Sequence, residues 1–247
     1  MPMIRLTMLI APILVCSVML PVLARESKEP PVSGLIGTVL GHPSPAADFT
    51  LTDQHDAPFH MADTRGRVVV LTFIYTHCGD TCPFVSMKVK SAVALLGVDT
   101  EKVAFIAVTT DPERDVPKVT SAYSKAIGLD DAWHFVTGPL GTLKTVWANY
   151  GIGVQVDSGT QSESSPDDAA KDSTADSESD SPPTNGLSRA DLFLAGKIVD
   201  QFSGGYEVAH SVPFWIIDKD GTVRASLDAD ATPSDIVTDV RLLLKSR

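Results

Sequence analysis

Cysteine is scarce in this sequence, which has three in 247 residues. Cys16 lies inside an apolar N-terminal run, where we interpret it as a small buried residue. Cys78 and Cys82 are then the thiols that remain in the mature chain. So few cysteines exclude a scaffold built on disulfides. A bridge between Cys78 and Cys82 would close a loop too short to remove much chain entropy, so we expect a chemical role for this pair.

Basic residues are also in deficit, because 20 Lys and Arg stand against 31 Asp and Glu for a formal net charge of -11. This balance argues against a nucleic-acid partner, which would need a basic footprint. Much of the acidic excess lies in residues 157–186, a Ser- and Asp-rich stretch without large apolar side chains. A stretch of this composition cannot bury a core, so we expect a disordered surface insertion there.

The N-terminus has the pattern of an export signal. Arg5 precedes a long apolar run, and Ala24 suits the small residue of a cleavage site. The run is also nearly long enough to span a membrane, so residues 1–24 are either a cleaved signal peptide or an uncleaved anchor. Either way, we expect an exported protein, periplasmic or anchored to the outer face of the inner membrane.

The rest of the chain is predicted to hold one folded domain. Residues 25–45 are rich in Pro and Gly and predict a tether. With 43% hydrophobic residues in the sequence, the remaining stretch, 46–247, can bury one substantial core. We therefore expect a single domain and a monomeric chain.

The pattern of apolar residues after position 46 predicts an α/β fold. Residues 67–76 and 103–110 are uninterrupted β-branched and aromatic runs, typical of strands buried on both faces. A helical pattern at 83–96 separates them, so the two strands should be parallel. The order predicts a central mixed sheet of about four or five strands, flanked by helices.

Further elements follow from shorter patterns. Residues 191–205 fit a strand or a helix equally well. The other predicted elements are a hairpin at 46–61, helices ending at Gly128 and Gly151 with a short strand between them, a hairpin at 213–227 and a C-terminal helix that begins at Thr232.

The two cysteines fall at a chemically favourable place in this pattern. Cys78 comes just after the first buried strand, and Cys82 comes at the start of the next helix. Ligands bind at the carboxyl edge of strands in open α/β sheets. A helix N-terminus also favours a thiolate over a thiol. The pair can therefore act as soft metal ligands or as a redox couple, although the commonest redox motif has a shorter spacing.

An imidazole would complete a metal site, and the sequence has six histidines. His77 adjoins Cys78, but neighbouring side chains on an extended strand point to opposite faces. His210 lies in a predicted loop at the sheet edge, shortly before a strand. From sequence physics alone, His210 is more simply a surface or packed residue, so its role stays open at this point.

Several blocks of the sequence together resemble the Sco/SenC family of copper proteins. The resemblance covers most of the chain from about Ala46 to Leu244, apart from the acidic insertion. The blocks that carry it are ADFTLTDQHDAPFHMADTRGRVVVLTFIYTHCGDTCP, VAFIAVTTDPERDVPKVTSAYSKAIG, WHFVTGPLGTLKTVWANYGI and VAHSVPFWIIDKDG.

The resemblance implies a thioredoxin-like fold and a function in copper handling. It implies that Cys78, Cys82 and His210 bind copper as Cu(I) or Cu(II), with one ion per chain. It also implies a copper metallochaperone that helps assemble the dinuclear copper centre of cytochrome c oxidase. The implied partners are the copper-receiving subunit of that oxidase and a copper donor.

The sequence departs from the family pattern at two positions near these residues. The family usually has Pro after the first cysteine, where this chain has Gly79, and Asp before the histidine, where this chain has Ala209. Asp80 matches the pattern. At Ala209 this chain lacks the carboxylate that the usual Asp offers, whereas the three implied ligands remain.

Two other functions stay open. A thiol-disulfide oxidoreductase could use Cys78 and Cys82 as a redox pair to reduce cysteines of a partner protein. A signalling protein that responds to copper or to redox state would need the same site as a chaperone. We expect the protein not to be an enzyme unless the oxidoreductase interpretation holds.

Overall fold

The computed structural model describes residues 32–156 and 186–246. The expected signal or anchor segment at 1–24 lies outside the described residues, as does the expected insertion apart from Gly186. Ten strands and five α-helices occur in the described part. The strands are β1 (Thr38–Pro45), β2 (Thr50–Thr52), β3 (Pro58–His60), β4 (Val68–Ile74), β5 (Val103–Thr109), β6 (His134–Val136), β7 (Val154–Val156), β8 (Val208–His210), β9 (Phe214–Ile217) and β10 (Thr222–Leu227). The helices are α1 (Thr81–Leu96), α2 (Pro117–Ile127), α3 (Leu140–Asn149), α4 (Arg189–Phe202) and α5 (Pro233–Lys245).

The main sheet has six strands in the order β1-β10-β9-β4-β5-β6. Strands β4, β5 and β6 are parallel, whereas β9 runs antiparallel to both β4 and β10. This arrangement confirms the predicted mixed sheet, parallel in its first half and antiparallel at the hairpin. The β2–β3 hairpin also forms as predicted.

The expected tether and strand number need a correction. Strand β1 lies within the stretch 25–45, and it pairs antiparallel with β10 at the edge of the sheet. The folded part therefore begins before residue 46, and the sheet has six strands rather than about four or five. Edge strands tolerate Pro, since one side of the strand needs no ladder hydrogen bonds. The Pro and Gly content that indicated a tether was therefore compatible with a strand.

Strand β4 separates the two layers of the core. Val68, Val70 and Ile74 pack into one cluster with α1, α2, α4 and α5. The alternate residues Leu71 and Phe73 pack into a second cluster with α3 and the β2–β3 hairpin. Alternation along a strand sends successive side chains to opposite faces, so a strand covered on both faces must be apolar throughout.

Helix α4 resolves the ambiguous stretch 191–205. Ser188 and Asp191 form a reciprocal capping box at its start, and Ala195 and Ile198 are buried. The apolar residues of this stretch fit both the alternation of a strand and the spacing of a helix. The choice between strand and helix therefore depended on which apolar face packs against another element. Helix α4 packs against α1 and α2.

Helix α1 is a core helix. With the turn that follows it, the range Thr81–Lys102 is long and apolar enough to cross a membrane by length and composition, but 50% of its most apolar window is buried in the fold. Such burial is typical of a helix that packs on a sheet.

Candidate metal centre

The two cysteines lie where β4 ends and α1 begins. Cys78 follows the strand by a short turn, and Cys82 lies in the first turn of the helix. Both are free thiols, with exposed fractions of 6% and 0%. The predicted position at the carboxyl edge of the parallel strands is confirmed.

The helix N-terminus stabilises one thiolate and not the other. The backbone N–H of Cys82 donates to Cys78 Sγ over 3.5 Å, which satisfies one of the N–H groups that a helix start leaves free. The hydrogen bond from the Cys82 side chain, with further backbone N–H groups, lowers the pKa of Cys78 to about 6. Burial and the neighbouring Cys78 raise the pKa of Cys82. At neutral pH the pair therefore carries its charge on Cys78.

His210 reaches the cysteines from a distant part of the chain. Its Nε2 lies 3.7 Å from Cys82 Sγ, although the two residues are separated by 128 positions. Its Nδ1 lies 2.9 Å from the carbonyl oxygen of Ser211. A carbonyl can only accept, so Nδ1 carries the proton and the lone pair of Nε2 faces the sulfur. Burial lowers the pKa of His210, which keeps the imidazole neutral and able to bind a metal.

The expected position of His210 in a loop needs a small correction. It is the last residue of β8, which pairs with β7 in a two-stranded ribbon where Val154 lies opposite His210. Among the described residues, this ribbon forms no ladder with the main sheet. The sequence did not predict β8, because a strand of three residues is too short to show an alternating pattern. The two glycines before it indicated a loop.

A cavity of about 290 Å³ opens onto the two sulfurs and the imidazole. Tyr75, Asp80 and Glu207 also line it. Sequence reasoning did not single out Tyr75 or Glu207 as site residues. Their positions in the sequence were the signal that could have indicated them. Tyr75 precedes Cys78 by three residues, and Glu207 precedes His210 by three.

The block TTDPERD forms a loop that holds the residues before His210, and we call residues 204–210 the histidine segment. Tyr206 of this segment donates its hydroxyl hydrogen bond to Asp111 over 2.7 Å. Arg114 pairs with Asp111, donates to the carbonyl of Gly204 over 2.9 Å, and lies over the Tyr206 ring at 3.7 Å. The loop after β5 therefore positions the segment that carries the imidazole.

A buried carboxyl group supports the loop from beneath. Asp115 accepts from the hydroxyl of Thr109 over 2.6 Å and from the backbone N–H of Thr76 over 3.2 Å. Burial raises the pKa of Asp115 to about 7 in spite of these hydrogen bonds. Asp115 thus connects the start of α2 to the ends of β4 and β5.

The two departures from the family pattern leave the cavity intact. A Cβ added at Gly79 would lie 3.6 Å from Ser203 and 3.9 Å from Glu207 Oε1, which are ordinary contact distances. Ala209 is exposed and lies opposite Gln155 in the ribbon. Neither position places a side chain between the sulfurs and His210.

His77, which adjoins Cys78 in the chain, does not line the cavity. His77 shares a hydrogen bond of 2.8 Å with the Thr76 hydroxyl. The described part of the chain has one group of three or more His, Cys, Asp or Glu side chains whose ligand atoms all lie within 4.8 Å of one another, and it consists of His55, Asp130 and Asp131. Cys78, Cys82 and His210 do not form such a group, so they would have to draw closer around one ion.

The fold and the site define a thioredoxin-like protein that brings two thiols and an imidazole to one edge of a mixed sheet. Residues 39–176 match the sequence profile of the SCO1/SenC family. The match spans more than half of the sequence, so the chain belongs to the SCO1/SenC family. The matched range contains both cysteines and ends before His210.

Three similar proteins agree with this assignment. A SCO2-like protein of Rickettsia felis is 27% identical over 131 residues, which cover 51% of this chain and 64% of the relative. The structure of Bradyrhizobium japonicum ScoI with copper bound has a TM-score of 0.57 at 20% identity, covering 81% of this chain and 99% of ScoI. The structure of BsSco, a member of the Sco family of cytochrome c oxidase assembly proteins with a disulfide switch, has a TM-score of 0.55 at 18% identity, covering 85% of this chain and 99% of BsSco.

These comparisons confirm the thioredoxin-like fold and the family that the sequence blocks predicted. The match to the R. felis relative falls short of two thirds of that protein's length. The solved structures, at 20% identity or less in these two cases, support the fold.

Proposed function

We propose that this protein is an exported copper metallochaperone that binds one copper ion through Cys78, Cys82 and His210. The observation that carries the proposal is the approach of His210 Nε2 to Cys82 Sγ at 3.7 Å, with Nδ1 held by a backbone carbonyl. Metal-binding histidines usually have their second nitrogen fixed in this way. Thiol-disulfide exchange between two cysteines does not require such an approach.

The donor set suits copper. Thiolates are soft and favour Cu(I), whereas an imidazole also accepts Cu(II), so a mixed set can hold either state. Zinc would accept the same donors, but it does not change its oxidation state. Copper is cargo here, and the small cavity at the sheet edge leaves room for the incoming ligands of a partner.

We propose the dinuclear copper centre of cytochrome c oxidase as the destination. Copper bound to ScoI and the membership of BsSco among oxidase assembly proteins support this assignment. The receiving subunit would displace the three ligands in turn, and a copper donor would reload them. The location we propose is the periplasm or the outer face of the inner membrane, in keeping with the N-terminal signal pattern.

A thiol-disulfide oxidoreductase is the second candidate. The observation that favours it is the asymmetry of the pair, since Cys78 has a lowered pKa and Cys82 is buried with a raised one. Cys78 thiolate would attack a partner disulfide, and Cys82 would then displace the partner thiolate, leaving a Cys78–Cys82 disulfide and a reduced partner. His210 has no necessary part in that exchange.

Copper binding to the reduced protein tests the proposal. The purified protein is titrated with Cu(I) against a competing chelator and with Cu(II), next to Cys78→Ser, Cys82→Ser and His210→Ala. The control is His60→Ala, because His60 is exposed and belongs to no group of metal donors among the described residues. We expect one copper per chain, loss of binding in both cysteine variants, weaker binding in His210→Ala and no change in His60→Ala. If the protein binds no copper tightly and His210→Ala still reduces partner disulfides, the oxidoreductase function replaces the chaperone.

A further inference from the structure

Tyr75 joins the strand that leads to the cysteines to the histidine segment. Tyr75 is buried, with an exposed fraction of 1%, and directly follows β4 in the chain. Its hydroxyl donates to Glu207 Oε2 over 2.7 Å and accepts from the backbone N–H of Val208 over 3.2 Å. One side chain therefore makes both a carboxylate contact and a backbone contact with the residues just before His210.

The Tyr75 ring also contacts the imidazole directly. The two ring centroids lie 5.6 Å apart at an interplanar angle of 68°, an edge-on arrangement. Edge-to-face contacts between rings are favourable and restrict the orientation of both rings. Tyr75 thus contacts His210 through its ring and the preceding backbone through its hydroxyl.

The histidine segment needs such a contact because its backbone gives it little support. Strand β8 has three residues and pairs with β7, which also has three. Gly204 and Gly205 precede it with φ of 127° and 86°, values that favour glycine. Because glycine has no side chain, the backbone here can also adopt other conformations at little cost. Small two-stranded ribbons are marginally stable alone.

We propose that Tyr75 and Glu207 are a pair of positioning residues that hold His210 beside Cys82 and so determine how well the site accepts Cu(II). The inference rests on the proposed function, because it assigns a role toward the same copper site. Glu207 fixes the Tyr75 hydroxyl, and the hydroxyl fixes Val208, two residues before His210. Cu(II) depends on the imidazole more than Cu(I) does, since two thiolates suit Cu(I). Loss of the pair should therefore weaken Cu(II) binding more than Cu(I) binding.

Three variants separate the hydrogen bond from the charge. Tyr75→Phe removes the hydroxyl and keeps the ring. Glu207→Ala removes the acceptor, whereas Glu207→Gln keeps an acceptor oxygen and removes the charge. Tyr150→Phe is the matched control, because it removes another tyrosine hydroxyl, which donates to the carbonyl of Ala47. Tyr150 lies in the second core cluster, whereas Cys78 and Cys82 lie in the first.

The variants are compared by Cu(II) and Cu(I) affinity, by the Cu(II) EPR spectrum, and by amide exchange at Val208 in the copper-free protein. We expect Tyr75→Phe and Glu207→Ala each to weaken Cu(II) binding about tenfold, as the loss of one hydrogen bond to a charged group would. Cu(I) affinity should change less than about threefold, and exchange at Val208 should become faster. Glu207→Gln keeps an uncharged acceptor and should therefore lose less affinity than Glu207→Ala. The double variant Tyr75→Phe/Glu207→Ala should lose no more than Tyr75→Phe alone.

Three results would each overturn the inference. The first is a Tyr75→Phe protein with unchanged Cu(II) affinity, EPR spectrum and Val208 exchange. The second is an equal loss in Tyr75→Phe and Tyr150→Phe, which would indicate general destabilisation. The third is unchanged Cu(II) binding in Glu207→Ala, which should fold even if Tyr75→Phe does not, because Glu207 is exposed. If the unmodified protein binds no copper, the proposed function fails, while faster Val208 exchange in Tyr75→Phe would still support the positioning of His210.

Discussion

The two sides of the candidate site are built differently. The cysteine side, residues 74–82, continues directly from a central strand into a core helix, and both sulfurs are buried. The histidine segment, residues 204–210, is mostly exposed and ends in a three-residue strand. Neighbouring backbone fixes the cysteines, whereas long-range side-chain contacts from Tyr75, Asp111 and Arg114 hold His210.

This difference indicates which half of the site can move. The cysteine side cannot shift without disturbing the core that also stabilises the fold. The histidine segment can shift at the cost of a few hydrogen bonds, each contributing about 1 kcal/mol. A site that must accept and release an ion benefits from one rigid half and one adjustable half.

The largest effect is expected from a cavity on the cysteine side. Ile74→Ala removes a fully buried side chain at the end of β4, and we expect a loss of about 2–5 kcal/mol in the free energy of unfolding. Denaturant unfolding of the copper-free protein measures it. Val98→Ala is the control, since Val98 is 88% exposed and its truncation should change stability by less than about 0.5 kcal/mol. Similar losses in both variants would contradict a rigid cysteine side.

The next effect concerns the chemical asymmetry of the two thiols. Since the pKa of Cys78 is lowered to about 6, its thiolate forms as the pH rises through that value, and alkylation should accelerate there and level off above it. Cys82, with a raised pKa, should react at least about tenfold more slowly at neutral pH. Rates with iodoacetamide, followed by peptide mass spectrometry, measure both.

The Cys82→Ala variant sharpens that test. It removes the side-chain hydrogen bond that contributes most to the lowered pKa of Cys78, so the midpoint of alkylation should move to higher pH. A midpoint near that of a free cysteine, about 8.5, in the unmodified protein would show that the helix start does not stabilise the thiolate.

A smaller effect is expected from the loop that holds the histidine segment. Arg114→Lys keeps the positive charge but loses the planar group that lies over Tyr206 and bonds the carbonyl of Gly204. We expect Cu(II) binding to weaken about fivefold with a change in unfolding free energy below about 1 kcal/mol. Lys102→Ala, at an exposed ion pair with Asp99, is the control and should change neither quantity. A loss of stability without a loss of Cu(II) affinity would show that Arg114 supports the fold and does not position the histidine segment.

The smallest effect on the site is expected from the C-terminal helix. Thr232→Ala removes the hydroxyl that caps α5 and accepts from the backbone N–H of Asp235. The loss should be about 1 kcal/mol of stability with no change in copper affinity. Helix α5 contacts α1 near Leu95, at the end of α1 opposite to Cys82. Thermal unfolding and Cu(I) titration measure the two quantities. A changed copper affinity would mean that the cysteine side is less rigid than its burial indicates.

Elements with long patterns were predictable, and short elements at edges were not. Strands β4 and β5, helix α1 between them and the β9–β10 hairpin follow from apolar runs and turn residues. The Pro and Gly residues of β1 fit a strand as well as the tether that the sequence predicts. The ribbon of β7 and β8 is too short to show a period, so the sequence predicts a loop where the strand carries His210.

The sequence by itself determined the position of Cys78 and Cys82, because strand, turn and helix follow one another within a few residues and local geometry orients both thiols. It also determined the family, through blocks whose order and spacing are together specific. For His210 the sequence offered only the resemblance, which implied a shared ligand role with the two cysteines. The tertiary structure decided that its Nε2 lies 3.7 Å from Cys82 Sγ, since the two residues are 128 positions apart. It also decided that Tyr75, Glu207 and the Asp111–Arg114 loop position the imidazole. Contacts between distant residues depend on how the whole sheet and its loops pack, and no local pattern in the chain encodes them.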